Sequence, residues 1–213
     1  MDDEKYFSLN NVDIPGNVYY YTSDKSIAPP DIKDKNKMKY KPKIMVWLVV
    51  SSKGISEPYV HRSKNAIGGD IYLNQCVKSK LIPFIEKHHS NDEILFWPDL
   101  SKAHYSKEVL DYLESISVPI VPKINNPPNI SQGRPIEDFW GVLAQLVYKK
   151  NWEAHTVKQF EHRIKKRLKE ADISVLQRMM DDVRKNLRKM YTDGVFSTCH
   201  YKRLLQRTIR SFK

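Results

Sequence analysis

The segment Ile44-Met45-Val46-Trp47-Leu48-Val49-Val50 is apolar at every position and rich in β-branched residues. A strand with one face in water alternates apolar and polar residues, so an unbroken run of this length reads as a strand covered on both faces. Such a strand needs a layer of structure on each side of its sheet, which confines the chain to layered α/β architectures.

The surrounding segments supply those layers. Val18–Tyr21 reads as a short strand, Gly54 marks a turn, and Ile55 to His61 reads as the hairpin partner of the central run. Asp70 is placed to cap a helix running to about His88, with Ile71, Cys76, Leu81, Ile82 and Ile85 on its apolar face. Ile94 to Trp97 returns as a strand ending at Pro98-Asp99. Ser106 caps a short helix that turns Val109, Leu110 and Leu113 inward, and Val118 to Val121 forms a further strand. Beyond Glu137 the pattern is helical throughout. Thr156 with Gln159 and Ser174 with Gln177 match the capping box, and Gly194 ends the last long helix. The expected class is therefore α/β: a mixed sheet of three antiparallel strands followed by alternating strands and helices, flanked by helices. Residues 1–150 form this core and residues 151–213 a basic helical C-terminal extension.

Charge follows the same division. Residues 1–140 hold 18 Lys plus Arg against 18 Asp plus Glu, whereas residues 141–213 hold 18 against 7, so the whole net charge of +11 is C-terminal. A neutral core with a basic helical tail fits an enzyme acting on a polyanion, although a solvated Lys-rich surface gives the same count. Arg163-Ile164-Lys165-Lys166-Arg167-Leu168-Lys169 reads either as a DNA-contacting or nuclear-localisation patch or as a solvated helix face. Lysines occupy every second position from Lys33 to Lys43, as an exposed hairpin arm or a loop. Cys76 and Cys199 lack metal-ligand spacing, the acidic start is unlike a signal peptide, and no apolar run reaches membrane-spanning length; the expectation is a soluble protein in a reducing, intracellular setting. Trp47, Trp97 and Trp140 lie in apolar elements and are assigned to the core rather than to base stacking.

Two carboxylates stand in chemically telling places. Asp99 ends a buried strand, where the carboxyl end of an α/β sheet faces the ligand crevice; its bland reading is a turn aspartate. Glu137 follows Pro135, which fits helix position N1, so Glu137 falls at N3; its bland reading is a glutamate that stabilises the first turn. Asp138 is the rival in the same turn but points about 100° away. Gly141 and Ala144, one turn on, are small enough for a close approach of helix to sheet. Asp3 opens a third strand-like stretch. Carboxylates converging from rigid elements suit Mg²⁺, and an ion pair about 3.5–4 Å apart supports in-line displacement at phosphorus.

The order Asp3-Glu4-Lys5-x-Phe7, Pro98-Asp99-Leu100-Ser101-x-Ala103-His104-Tyr105, Asn126-Pro127-Pro128-Asn129 and Arg134-Pro135-Ile136-Glu137-x-Phe139-Trp140 resembles the catalytic domain of mariner-like transposases, members of the DDE group, over roughly residues 1–150. The resemblance implies a ribonuclease-H-like fold, shared with retroviral integrases, and Mg²⁺- or Mn²⁺-dependent cleavage and strand transfer of DNA with two metal ions. It implies that Asp3, Asp99 and Glu137 are the catalytic metal ligands, with Asp2 the fallback for the first. His104 falls where the family often has a histidine near the active site or DNA. Lys37, Lys39 and Lys41 lie where relatives carry an insertion that joins subunits and touches DNA, and Lys165, Lys166 and Arg167 are the further candidate DNA contacts. The implied partners are transposon ends, target DNA and a second subunit in a homodimer; the implied location is the nucleus. Only Met1 and Asp2 precede Asp3, and the family's helix-turn-helix region is not present, so a fragment or a domesticated remnant that only binds DNA is the alternative expectation. A ribonuclease-H-type nuclease, preferring an RNA–DNA hybrid, is a third reading.

Overall fold

The computed structural model describes residues 1–9, 23–24, 26–27, 42–62, 66–128, 130, 133–150 and 152–198. The expected strand at Val18–Tyr21, the arm lysines Lys37, Lys39 and Lys41, and the segment after Thr198 lie outside the described residues.

Strand β2 (Lys43–Ser51) is central. On one edge it pairs antiparallel with β1 (Asp2–Ser8), in register from Asp2 opposite Val49 to Ser8 opposite Lys43. On the other edge it pairs with β3 (Gly54–Ile55) and β4 (Tyr59–His61). Every residue from Ile44 to Val50 is buried, as the unbroken apolar run requires. The two-residue period then divides them. Ile44, Val46, Leu48 and Val50 enter one core, and Met45, Trp47 and Val49 enter the other. Each buried side chain of this size contributes about 1.5–3 kcal/mol, so β2 anchors both layers at once.

The layer over Met45, Trp47 and Val49 is a continuous helical rod: α1 (Gly69–Ile71), a π-wound stretch (Tyr72–Leu81) and α2 (Ile82–His89). Helical bonding begins where Tyr72 N donates to Gly68 O at 2.9 Å, so the cap is Gly68 and Asp70 sits within the first turn. At the far end His89 bridges Ser51 Oγ (2.8 Å) and Asp92 Oδ2 (2.7 Å), tying the rod to the β2–β3 hairpin. Helix α3 (Lys107–Ser115) completes the layer with Val109 and Leu113; Ser106 stands at its N-cap position, but its side chain makes no capping bond.

The opposite layer holds α4 (Pro135–Val147), α5 (Val157–Lys169) and α6 (Ile173–Asp193). Phe160, Ile164, Leu168 and Leu176 share one core with Phe7, Ile136, Phe139, Trp140 and Leu143. Thr156 Oγ1 caps α5 by accepting from Gln159 N at 3.1 Å, while Gln159 Oε1 accepts from His155 N rather than from Thr156 N. The cap of α6 is Asp172, whose Oδ1 accepts from Ser174 N at 2.9 Å; Ser174 itself lies inside the helix. Gly194, at φ +90°, follows its last residue.

The strands expected at Ile94–Trp97 and Val118–Val121 shrink to one parallel bridge, Phe96 with Ile120. Phe96 N donates to Pro119 O and Val121 N to Phe96 O, both at 2.8 Å. The next ladder bond in either direction needs a donor at Pro98 or Pro119, and proline has none. Val121 O takes the Tyr105 hydroxyl at 3.1 Å instead. The short ladder leaves Pro98 O free for side chains of the site.

Candidate active site

β1, the 94–99 segment and the start of α4 bring the expected carboxylates to one end of the sheet. Asp2 and Asp3 are neighbours on β1 and so face opposite layers. Asp2 is fully buried: its Oδ2 accepts from Trp47 Nε1 (2.8 Å) and the Tyr72 hydroxyl (2.6 Å), and its Oδ1 from Asp99 N (3.0 Å). Its oxygens are engaged by the protein, which makes Asp2 a structural anion holding the backbone at Asp99. The fallback role considered for it does not fit these bonds.

Asp3 is held differently. It is 8 % exposed, and its Oδ2 accepts from Trp140 Nε1 at 2.7 Å. Burial pushes its carboxyl up to about 7, reinforced by the charges of Glu137 and Asp99 and opposed by the Trp140 hydrogen bond. The charges of Glu137 and Asp99, rather than that of Asp138, are the ones that raise Asp3.

Glu137 occupies the first turn of α4 behind Pro135 at its first position, and its N–H donates to Arg134 O at 3.0 Å. Glu137 and Asp99 line one cavity of about 290 Å³ together with Leu100, Asn126, Pro127, Pro128, Ile130 and Arg134. Gly141 is exposed and a Cβ there would meet nothing within 4 Å, so it does not bring α4 close to the sheet. The helix is held by Ile136, Trp140, Leu143 and Val147, and Trp140 reaches Asp3 by its indole edge.

His104 is buried beneath this end of the sheet. Its ring stacks on Tyr72 at 3.9 Å, its Nε2 lies 2.8 Å from Glu4 Oε1 and its Nδ1 3.2 Å from Asp99 O. Burial, the largest effect, lowers its pKa, but Asp2, Glu4 and Asp99 together carry it up to about 9. At neutral pH it is an imidazolium, without a lone pair to give a metal. Glu4, Asp99 and His104 place one ligand atom each within 4.8 Å of one another, and Asp3 and Glu137 are not part of that tight grouping. Its chemistry is that of an ion pair that anchors Asp99, with His104 between Glu4 Oε1 and Asp99 O. The donor set of Asp3, Asp99 and Glu137, all oxygen and all anionic, nevertheless suits a hard divalent ion.

Several supporting residues were not singled out from the sequence. Asn126 Nδ2 donates to Pro98 O (3.0 Å) and to the Tyr105 hydroxyl (2.8 Å), and its Oδ1 accepts from Trp97 Nε1 (2.8 Å). Arg134 donates to Pro98 O (2.9 Å) and Asp2 O (2.6 Å). Both lie within the motifs quoted for the family resemblance, which was the available signal. Of the basic candidates, Lys165 and Lys166 are exposed on α5, while Arg167 is paired with Glu170.

The named strands form an antiparallel sheet with helices on both faces and acidic residues at one end, and this arrangement is similar in fold to the catalytic domain of a mariner transposase. No family model matches the sequence. The Tc3 transposase of Caenorhabditis elegans is 26% identical over 185 residues, covering 85% of this chain and 53% of that protein. Among solved structures, the Mos1 transposase paired-end complex with the left transposon end superposes with a TM-score of 0.67 at 14% identity, over 93% of this chain and 55% of the other. The catalytic domain of Mos1 mariner transposase gives 0.60 at 11% identity, over 72% and 74%, and that domain is also solved with Mg and with Mn. The expected likeness to the mariner-like catalytic domain, and its fold, are borne out. The chain spans about half the length of the curated relative it matches.

Proposed function

We propose that this domain carries out divalent-metal-dependent phosphoryl transfer on DNA, cleaving and joining strands as a transposase does, with Asp3, Asp99 and Glu137 as ligands to Mg²⁺ or Mn²⁺. The observation that supports this reading is geometric: Asp99 and Glu137 line one cavity, and Asp3 is held by Trp140 of the same helix that carries Glu137; the upward shift of the Asp3 carboxyl agrees with it. Two bound ions would supply charge stabilisation at the phosphate and lower the pKa of an attacking water or 3′-hydroxyl.

The protein's own contribution is position. Trp140 holds Asp3, the Asp2 carboxylate and His104 hold the backbone of Asp99, and the first turn of α4 presents Glu137 at the positive end of its dipole. The cavity between Asp99 and Glu137 is where a scissile phosphate would approach. Exposed lysines such as Lys165 and Lys166 would add salt-sensitive affinity for the duplex, and a second subunit is the expected partner.

The test is nicking and joining of DNA substrates by the purified protein with and without Mg²⁺ or Mn²⁺. Activity should require the metal and vanish in Asp99→Ala and Glu137→Ala. Cleavage that survives both substitutions sinks the proposal, and salt-sensitive DNA binding without any metal-dependent cleavage leaves only a binding role.

A further inference from the structure

Among the described residues, Arg134 makes bonds that reach the peptide units of all three carboxylates. Its guanidinium donates through Nη2 to Asp2 O at 2.6 Å and through Nη1 to Pro98 O at 2.9 Å. Those carbonyls belong to the peptide bonds Asp2–Asp3 and Pro98–Asp99, immediately ahead of the first two acids. The carbonyl of Arg134 itself accepts from Glu137 N at 3.0 Å, ahead of the third. The three acids come from positions 3, 99 and 137 of the chain, and this side chain and its backbone close the triangle between them.

The local sequence prepares it for the task. A residue before proline is driven to extended backbone, and Arg134, at φ −114° and ψ 94°, leaves the helix axis at its N-cap. The side chain is thereby sent across to the sheet instead of along α4. It is 6 % exposed, its guanidinium lies 5.8 Å from the Trp97 ring centroid, and Nη1 is 3.9 Å from Asp99 Oδ1. Its Nε–H has no partner among the described residues. A buried cation with one donor left over is a costly way to hold two carbonyls if stability were the only gain. Only the planar fork of arginine reaches two separate carbonyls with fixed geometry; a lysine ammonium is a point charge on a flexible stem.

We propose that Arg134 is the positioning residue of the site, setting the mutual placement of Asp3, Asp99 and Glu137 and hence the affinity for a divalent ion. This rests on the proposed metal-dependent reading, but part of its test does not. Trp140 Nε1–H is bonded to Asp3 and Trp47 Nε1–H to Asp2, so the two indole resonances report the placement of β1's carboxylates with no metal present.

The experiment compares wild type with Arg134→Lys and Arg134→Gln, first by the indole ¹H–¹⁵N spectrum without metal, then by Mn²⁺ binding followed by electron paramagnetic resonance, well below each unfolding midpoint. In a folded variant the Trp47 and Trp140 indole signals should shift or broaden more than that of Trp152, which packs on Phe160 and Arg163 of α5 and bonds to neither aspartate. Mn²⁺ affinity should fall by about tenfold or more, the scale on which groups that orient metal ligands act. Unchanged Trp47 and Trp140 signals in a folded variant overturn the proposal, as does failure of both variants to fold, which assigns Arg134 to folding. Wild type that binds no Mn²⁺ overturns the metal reading and the affinity part of this proposal, while the indole comparison still decides whether Arg134 positions β1.

Discussion

Asp2 and Asp3 are adjacent carboxylates clamped on opposite faces of one strand by two indoles: Trp47 Nε1 donates to Asp2 Oδ2 at 2.8 Å and Trp140 Nε1 to Asp3 Oδ2 at 2.7 Å. The two tryptophans come from opposite cores of the protein, so each layer fixes one acid. What separates the pair is the rest of their company. Asp2 has two further donors, and Asp3 has two further anions.

Metal binding should therefore be pH-dependent through Asp3. With its carboxyl at about 7, a proton competes with the metal below neutrality. Mn²⁺ affinity should rise by about tenfold between pH 6 and pH 8, since the ionised fraction of such a group rises by about that factor. Calorimetric titration at the two pH values checks this; equal affinities contradict it.

Trp140→Phe keeps most of the buried ring but removes the one side-chain donor to Asp3. Because that hydrogen bond lowers the Asp3 pKa, the carboxyl should titrate above 7 in the variant. Mn²⁺ affinity at pH 7 should fall several-fold, with a stability loss of about 1–3 kcal/mol for the lost hydrogen bond. A ¹³C-detected carboxyl titration gives the first result and thermal unfolding the second.

His104 carries the opposite charge. Its pKa is raised from 6.5 to about 9, so its charge stabilises the fold fully below pH 6.5 and that contribution is lost as pH rises through 9. Its partners are Glu4, at 2.8 Å, and the charges of Asp2 and Asp99. His104→Gln should cost more stability at pH 6 than at pH 10, by about 2–3 kcal/mol. Denaturant unfolding of both proteins across that range tests it; a difference that does not change with pH would show that the ring acts by packing alone.

The sequence was legible where burial or motif leaves a local trace. Two-sided burial makes Ile44–Val50 continuous, and a strand end followed by Asp99, or Pro135 followed by Glu137, carries its own geometry. It was less legible where one segment decides the fate of another. Ile94–Trp97 and Val118–Val121 have strand composition, but the missing N–H of Pro98 and Pro119 matters only once the two are side by side. Trp140 reads as core, which it is at 1 % exposure, yet the direction of its indole N–H is set by β1, more than 130 positions away in sequence. Gly141 invites a close helix–sheet approach that the neighbouring large side chains make unnecessary. Arg134 looks like a helix-flanking base until the carbonyls it grips are in place.

The two aspartates of β1 give the sharpest contrast, because the same substitution should act in opposite directions one residue apart. Asp2→Asn turns an acceptor surrounded by three donors into a group with an NH₂ of its own. At least one of Trp47 Nε1, Tyr72 Oη and Asp99 N then faces another donor, and stability should drop by about 2–3 kcal/mol or more. Asp3→Asn removes a charge that the metal-free protein disfavours: with the folded pKa near 7 and the ordinary aspartate value at 3.8, the wild-type fold loses stability as pH rises through that window. Metal-free Asp3→Asn should accordingly unfold above wild type at pH 8, by up to about 2–4 kcal/mol, and the advantage should vanish near pH 4. Saturating Mg²⁺ should reverse the order, because wild type gains the binding energy and the variant loses a ligand. Thermal unfolding of the three proteins at pH 4 and pH 8, with chelator and with Mg²⁺, decides it. If Asp3→Asn is destabilising at pH 8 without metal, Asp3 is a structural carboxylate like its neighbour and the charge cluster does not exist.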